Sequence, residues 1–188
     1  MSKYLILVKH SQPVIDKELP AREWKLSEEG RQRTGRLTEK LKPYLPDVLI
    51  SSMEPKAVET AELLANKLNL RPHVFDHLHE HDRSGAPYFS NEDFQHAVRE
   101  FFTNPDSRVY GNETADEAHE RFSRAVYSIL KKYSEQTVVI VAHGTVIALF
   151  VSRLTGQPGY KIWKELGLPS FVVIDVQSNS LVTLENIH

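Results

Sequence analysis

Two short apolar runs of this chain each end in a histidine: Leu5-Ile6-Leu7-Val8-Lys9-His10 near the start, and Val138-Val139-Ile140-Val141-Ala142-His143-Gly144 far downstream. Both read as strands, and in an α/β protein the carboxyl ends of parallel strands converge on one crevice where ligands sit. Residues so distant in sequence can therefore share a site, which points to paired-histidine chemistry rather than core packing. A neutral imidazole at His10 can attack phosphorus to give a phosphohistidine while neighbouring cations stabilise the charged phosphoryl oxygens. Two lysines are placed to supply that charge. Lys9 directly precedes His10, and Lys56 lies in Ser51-Ser52-Met53-Glu54-Pro55-Lys56-Ala57, where a strand gives way to a helix. The amino end of such a helix points unpaired N–H groups at a bound anion.

A rival chemistry is written in His77-Leu78-His79-Glu80-His81-Asp82. Alternation on a strand would turn three imidazoles to one face, toward a metal. The order is close to the His-x-His-x-Asp-His of metallo-hydrolases with the last two residues exchanged, but the glycine-rich and later ligand segments of such an enzyme are missing. The better reading is no metal and no organic cofactor, with these histidines as polar surface or substrate contacts. Arg31, Arg33 and Arg36 lie among Glu28, Glu29 and Glu39 and read as a solvated helix face. Phe101, Phe102 and Trp163 read as helix-packing aromatics.

The elements that must position these residues follow in order. Tyr4 to Val8 is a first strand, then a polar loop leads to Ser27, an N-cap with Glu28 and Glu29 in the first turn of a helix that runs to about Lys42. Asp47 to Ser51 is a second strand, Pro55 opens a helix to about Leu68, and Pro72 to Phe75 suggests a third strand. From Asp76 to Gln136 the pattern changes to loops with helices near Asn91 to Phe102 and Thr114 to Tyr133, a segment able to cover the site. Thr137 to Ala142 reads as a central strand buried on both faces, Gly144 to Leu154 as a helix, and Phe171 to Val176 and Leu181 to Leu184 as two last strands joined by a turn.

The whole chain sets outer bounds. Its 188 residues fit a single domain spanning 1-188, with the covering segment at about 76-136. A chain of this size buries roughly 70% of its unfolded surface. Lys+Arg 23 against Asp+Glu 25 gives no charge argument for nucleic acid or membrane as a partner. With no cysteine, disulfides, thiolate ligands and redox-cysteine chemistry are excluded. The apolar run Tyr4 to Val8 is too short for a signal peptide or a membrane span, so a cytoplasmic protein is the default expectation. No feature of the sequence assigns an oligomeric state.

Taken together, the segments resemble the histidine phosphatase superfamily, the phosphoglycerate mutase-like family, over most of the chain and in the same order. Val8-Lys9-His10-Ser11 resembles its strand-end Arg-His-Gly motif, and Trp24 to Arg31 its Leu-Thr-x-x-Gly helix start. Ser51 to Ala61 resembles Ser-Ser-Pro-Leu-x-Arg-Ala-x-x-Thr-Ala, the most specific match. Leu78-His79-Glu80 resembles the Leu-x-Glu that carries the proton donor, Gly111-Asn112-Glu113-Thr114 resembles a Gly-Glu-Ser segment imperfectly, and Val141-Ala142-His143-Gly144 the second-histidine motif.

The resemblance implies a three-layer α/β sandwich: a mostly parallel sheet, helices on both faces and a helical covering insertion. It implies a phosphomonoester hydrolase with His10 as nucleophile and Glu80 as proton donor, acting on a small phosphorylated substrate. Lys9, Lys56, His143 and the Gly144 amide would hold the phosphoryl group or inorganic phosphate. Glu80 would then be held partly protonated near neutral pH. Nearby Asp76 and Asp82 are alternatives for its role, and Gly85 is displaced from the family spacing.

Three departures stand out. Both phosphate-clamping arginines are replaced by lysine, at Lys9 and Lys56, and the glycine after the nucleophile is Ser11. Lysine keeps the charge but loses the planar fork that makes two parallel hydrogen bonds to phosphate. One charged hydrogen bond is worth roughly 1.5–3 kcal/mol, so each loss weakens phosphate binding by about tenfold or more. Either the pocket is retuned around two ammonium groups, with Arg22 or Arg83 as auxiliary guanidinium, or activity has decayed to a phosphate-ligand or protein-binding module. A mutase must retain and reorient a bisphosphorylated intermediate, and no additional motif for that is present.

Overall fold

β-Branched and leucine side chains, alternating to opposite faces, make strands of both histidine-ending runs. In the computed structural model, which describes residues 3–86 and 89–188, they are β1 (Tyr4–Lys9) and β4 (Val138–Ala142). With β2 (Val48–Ser51), β3 (Pro72–Val74), β5 (Ser170–Asp175) and β6 (Ser180–Asn186) they form a six-stranded sheet in the order β3-β2-β4-β1-β5-β6. The pairs β3–β2, β2–β4 and β4–β1 are parallel; β1–β5 and β5–β6 are antiparallel. The sheet is thus mostly parallel, with an antiparallel hairpin at one edge.

Alternation along the central strands divides the core in two. Leu5, Leu7, Val138 and Ile140 pack against α4 (Ala115–Lys132), α5 (Gly144–Thr155) and α6 (Gly159–Glu165), through Phe122, Ile129, Val146 and Ile162. Ile6, Val8, Val139 and Val141 face the opposite way, against Leu37 and Leu41 of α1 (Glu28–Leu41) and Ala61 and Leu64 of α2 (Pro55–Leu68). Burying a side chain of this size contributes about 1.5–3 kcal/mol. Helices therefore cover both faces, as an α/β sandwich requires.

The helix boundaries follow local chemistry. The Ser27 side chain accepts the Gly30 amide at the start of α1, and Thr114 with Glu117 forms a capping box at the start of α4. Pro55 opens α2, and Gly156 with φ 72° closes α5. The short helix α6 has no counterpart in the sequence reading; two turns carry too little periodicity to register.

Within the covering segment, α3 (Asn91–Thr103) and the adjoining loops pack on α5 and the start of α4 through Val98, Phe101, Tyr110, Ala118 and Leu149. Positions 87 and 88 of this segment lie outside the described residues. Helix α4 is shared, since it also lines the sheet. Phe101 is buried, and Trp163 packs its ring against Phe94, which bears out both as packing aromatics. Among the described residues no helix is long and apolar enough to cross a membrane.

Candidate active site

Strand pairing brings the two histidines together. Lys9 pairs with Ala142 in the parallel β1–β4 ladder, and the His10 amide donates to the Ala142 carbonyl at 3.0 Å. His143 follows Ala142, and the two imidazole rings stand 5.2 Å apart, edge to face. On the other side of β4, the Ser52 amide just beyond β2 donates to the Val141 carbonyl at 2.9 Å. Three neighbouring strand ends therefore deliver Lys9-His10-Ser11, His143-Gly144 and the Ser52 to Lys56 turn to one crevice.

The His10 ring is fixed by its own loop. Its Nδ1 lies 2.7 Å from the Ser11 carbonyl oxygen, so Nδ1 carries the proton and donates, and Nε2 is left with its lone pair. Burial first, then the charges of His143, Lys56 and Lys9, push its pKa well below the ordinary imidazole value. The ring is neutral at physiological pH. Ser11 does not face the crevice as a ligand group; its hydroxyl donates to the Gly30 carbonyl at 2.7 Å and its amide to Thr60 Oγ1 at 3.1 Å. Gly30 is required there, because a Cβ would sit 2.1 Å from the Gln12 carbonyl oxygen. Ser11 thus clamps the nucleophile loop to α1 and α2.

Both lysines are near His10, and both ammonium groups donate within the protein. Lys9 Nζ reaches the Leu166 carbonyl at 2.8 Å, passing over Gly144, where a Cβ would lie 3.0 Å from Lys9 Cε. Burial pushes its pKa down to about 8, opposed by the nearby charge of Glu80. Lys56 is buried on the first turn of α2 and donates to the Ala21 carbonyl at 2.6 Å and to Glu54 Oε2 at 2.5 Å.

His143 is fully buried, its Nε2 2.8 Å from Ser52 Oγ and 3.4 Å from Glu54 Oε1. Its Nδ1 has no partner among the described residues and keeps spare hydrogen-bonding capacity. Burial and the Lys56 charge lower its pKa well below the ordinary value.

Glu80 joins this group across the start of α5. Its carboxylate accepts the Thr145 amide at 3.1 Å, the Val146 amide at 3.3 Å and the His81 amide at 2.9 Å. Burial raises its pKa, but the His143 and Arg83 charges and those amides outweigh burial and leave it lowered. The expectation of a partly protonated Glu80 therefore fails for the ligand-free protein, because His143, Arg83 and the Thr145 and His81 amides together favour the anion. Asp82 is spent on its own turn, accepting the Ser84 amide at 2.9 Å.

Arg121 of α4 orders the Glu80 segment. It forms a two-pronged pair with Glu113 at 3.1 and 2.6 Å and donates to the carbonyls of His77, His79 and Glu80. The alternating histidines do not sit on a strand: β3 ends at Val74, and His77 has φ 66°. His81 instead packs its ring 4.2 Å from Phe101, and among the described residues no three His, Asp or Glu side chains converge as a metal cage. Arg83 lies over the Phe94 ring at 5.0 Å with its charge felt at Glu80, whereas Arg22 is exposed and donates to Ser84 Oγ at 3.2 Å. Arg33 is not simply solvated, since it donates to the Leu168 carbonyl at 3.0 Å.

Glu54, Ser52, Glu113 and Arg121 belong to the site region without having been singled out from the sequence. Glu54 stands inside the most specific motif. A glutamate among the polar residues of a strand-to-helix turn carries no periodic signal of its direction. Glu113 lies in the imperfect Gly111-to-Thr114 match, which marks its position but not its arginine partner.

The fold has known relatives. The model of the histidine phosphatase superfamily (branch 1) matches residues 5–186, and the chain belongs to that family. A mycobacterial glucosyl-3-phosphoglycerate phosphatase solved with inorganic phosphate is similar at 21% identity and TM-score 0.75, over 99% of this chain and 97% of that one. Phosphoserine phosphatase from Entamoeba histolytica, solved with 3-phosphoglyceric acid, is similar at 16% identity and TM-score 0.80, over 99% and 98%. YhfR from Bacillus stearothermophilus is similar at 21% identity and TM-score 0.73, over 96% and 94%. No curated protein matches the chain significantly.

Proposed function

We propose that this protein hydrolyses a small phosphomonoester through a phosphohistidine on His10. The observation that carries the reading is the state of that ring: neutral, held at Nδ1 by the Ser11 carbonyl, with Nε2 free and two lysines beside it. Nε2 attacks phosphorus as the bond to the ester oxygen breaks, Glu80 delivers a proton to the departing alkoxide, and water then attacks the phosphohistidine with Glu80 as base. Glu80 is ionised before substrate arrives. A phosphoryl dianion beside it raises its proton affinity, so the proton is taken up with the substrate. Lys9 and Lys56 balance the charge on the transferring group, while the neutral His143 and the Gly144 amide hydrogen-bond to it. The phosphate and phosphoglycerate bound by the structural neighbours support a small phosphorylated ligand.

A second reading, a phosphate-binding module without turnover, draws on one observation: both ammonium groups already donate to acceptors within the protein. Steady-state assays on a panel of phosphomonoesters, with and without chelator, separate the two. The hydrolase gives chelator-resistant turnover that falls about a thousandfold or more in His10→Ala. Phosphate binding without turnover selects the module. Turnover lost on chelation contradicts both.

A further inference from the structure

Glu54 is the N-cap residue of α2, yet its side chain caps none of that helix's amides. It turns into the crevice instead and is buried there. One oxygen, Oε2, takes the Lys56 ammonium at 2.5 Å; the other, Oε1, accepts the Glu80 amide at 2.9 Å and lies 3.4 Å from His143 Nε2. Three residues of the candidate phosphate site thus meet on one internal carboxylate. Around His10 the ammonium groups of Lys9 and Lys56 lie among the carboxylates of Glu54 and Glu80, with the Arg83 charge also felt at Glu80. An anion placed at Lys56 must displace or neutralise its ion-pair partner, Glu54.

We propose that Glu54 is a specificity-determining residue that discriminates against free inorganic phosphate, by holding the Lys56 ammonium that a bound phosphate would otherwise engage. The inference rests on the phosphate-site reading above. Its consequence is selection by the organic part of the substrate. With Lys56 neutralised in the resting site, affinity for an ester comes largely from contacts to its leaving group, and product phosphate departs readily.

Glu54→Gln removes the charge and keeps an amide oxygen able to accept from the Glu80 backbone. The probe is inorganic phosphate, titrated calorimetrically into wild type, Glu54→Gln and the double variant Glu54→Gln/Lys56→Met. Two unit charges at contact distance in a partly screened site, reduced for solvent, correspond to a gain of about tenfold in phosphate affinity for Glu54→Gln. The double variant loses that gain, because the freed ammonium is its source. A purely structural Glu54 gives the opposite pattern, with phosphate affinity unchanged or weaker in Glu54→Gln, and that result overturns the inference. Should Glu54→Gln prove unfolded by circular dichroism, Glu54→Leu is read in the same titration, and failure of its affinity to rise is equally contradictory. The two proposals fail separately: turnover surviving in His10→Ala removes the hydrolase reading, whereas the phosphate titration of Glu54→Gln involves no turnover.

Discussion

Burial lowers the proton affinity of both Lys9 and His10, and the consequences fall in different pH ranges. His10 sits well below the ordinary imidazole value, so the nucleophile stays neutral through the mildly acidic range and its ionisation sets no limb near neutrality. Lys9, pushed down to about 8, loses its ammonium within the accessible alkaline range. Its folded pKa is below its unfolded value. Below pH 8 it is charged in both states and the cost of burying the charge is fully present; that cost fades as pH rises from about 8 to the ordinary lysine value near 10.4. The Lys9 charge that the proposed mechanism uses is lost as pH rises through about 8. We therefore expect kcat/KM for a phosphomonoester to fall above about pH 8. Lys9→Arg, with a guanidinium that keeps its proton, should remove this limb. A wild-type profile flat to pH 10, or a limb unchanged in Lys9→Arg, would show that the Lys9 ammonium takes no part. At this scale the reactive residue types were legible in sequence because strand ends are marked by where an apolar run stops. The direction of Glu54 was not: a side chain at a helix start can cap the helix or turn away from it, and only the position of Lys56 in three dimensions decides.

The elements divide the work of positioning. Strands β1, β2 and β4 set the Lys9-His10, Ser52 and His143 backbones to within ladder precision, whereas Glu80 arrives on an irregular segment that needs a separate support. Arg121 is that support. Its side chain and that of Glu113 are each only 14% exposed, and it holds the His77, His79 and Glu80 carbonyls of this segment. Breaking such a pair from one side leaves an uncompensated buried charge, so Arg121→Met should destabilise the fold by about 3 kcal/mol in urea denaturation. It should also lower kcat more than it raises KM, through misplacement of Glu80. An Arg121→Met variant with wild-type stability and kcat would mean that the segment is held by other contacts. The helices and strands themselves were largely readable, because caps and apolar periods are local: Ser27, Pro55 and Thr114 all open helices where expected. The Arg121 support was not. It joins a helix face to loop carbonyls across 41 to 44 positions of sequence, and neither partner carries a pattern in its own neighbourhood.

At the scale of the molecule, the parallel order β3-β2-β4-β1 explains how residues from distant parts of the chain come to face one another. Moving along the sheet edge, the chain leaves β3 toward Glu80, β2 toward Ser52, Glu54 and Lys56, β4 toward His143, and β1 toward His10. The antiparallel hairpin of β5 and β6 lies on the far side of β1, and the turn before β5 supplies the Leu166 carbonyl that anchors Lys9. Fold class was legible from this succession of strands and helices, since right-handed strand–helix–strand units leave few alternatives. Charge balance at the crevice was not, because it depends on which carboxylates the fold turns inward. The whole arrangement has one chemical purpose in this account, the transfer of a phosphoryl group to His10 Nε2. Rapid mixing of the protein with a turned-over phosphomonoester, quenching in alkali to preserve phosphoramidates, and peptide mass analysis read this directly. The account predicts one added phosphoryl group on the peptide containing His10, forming no more slowly than turnover and absent in His10→Ala; turnover with His10 unmodified, or modification at another residue, would contradict it.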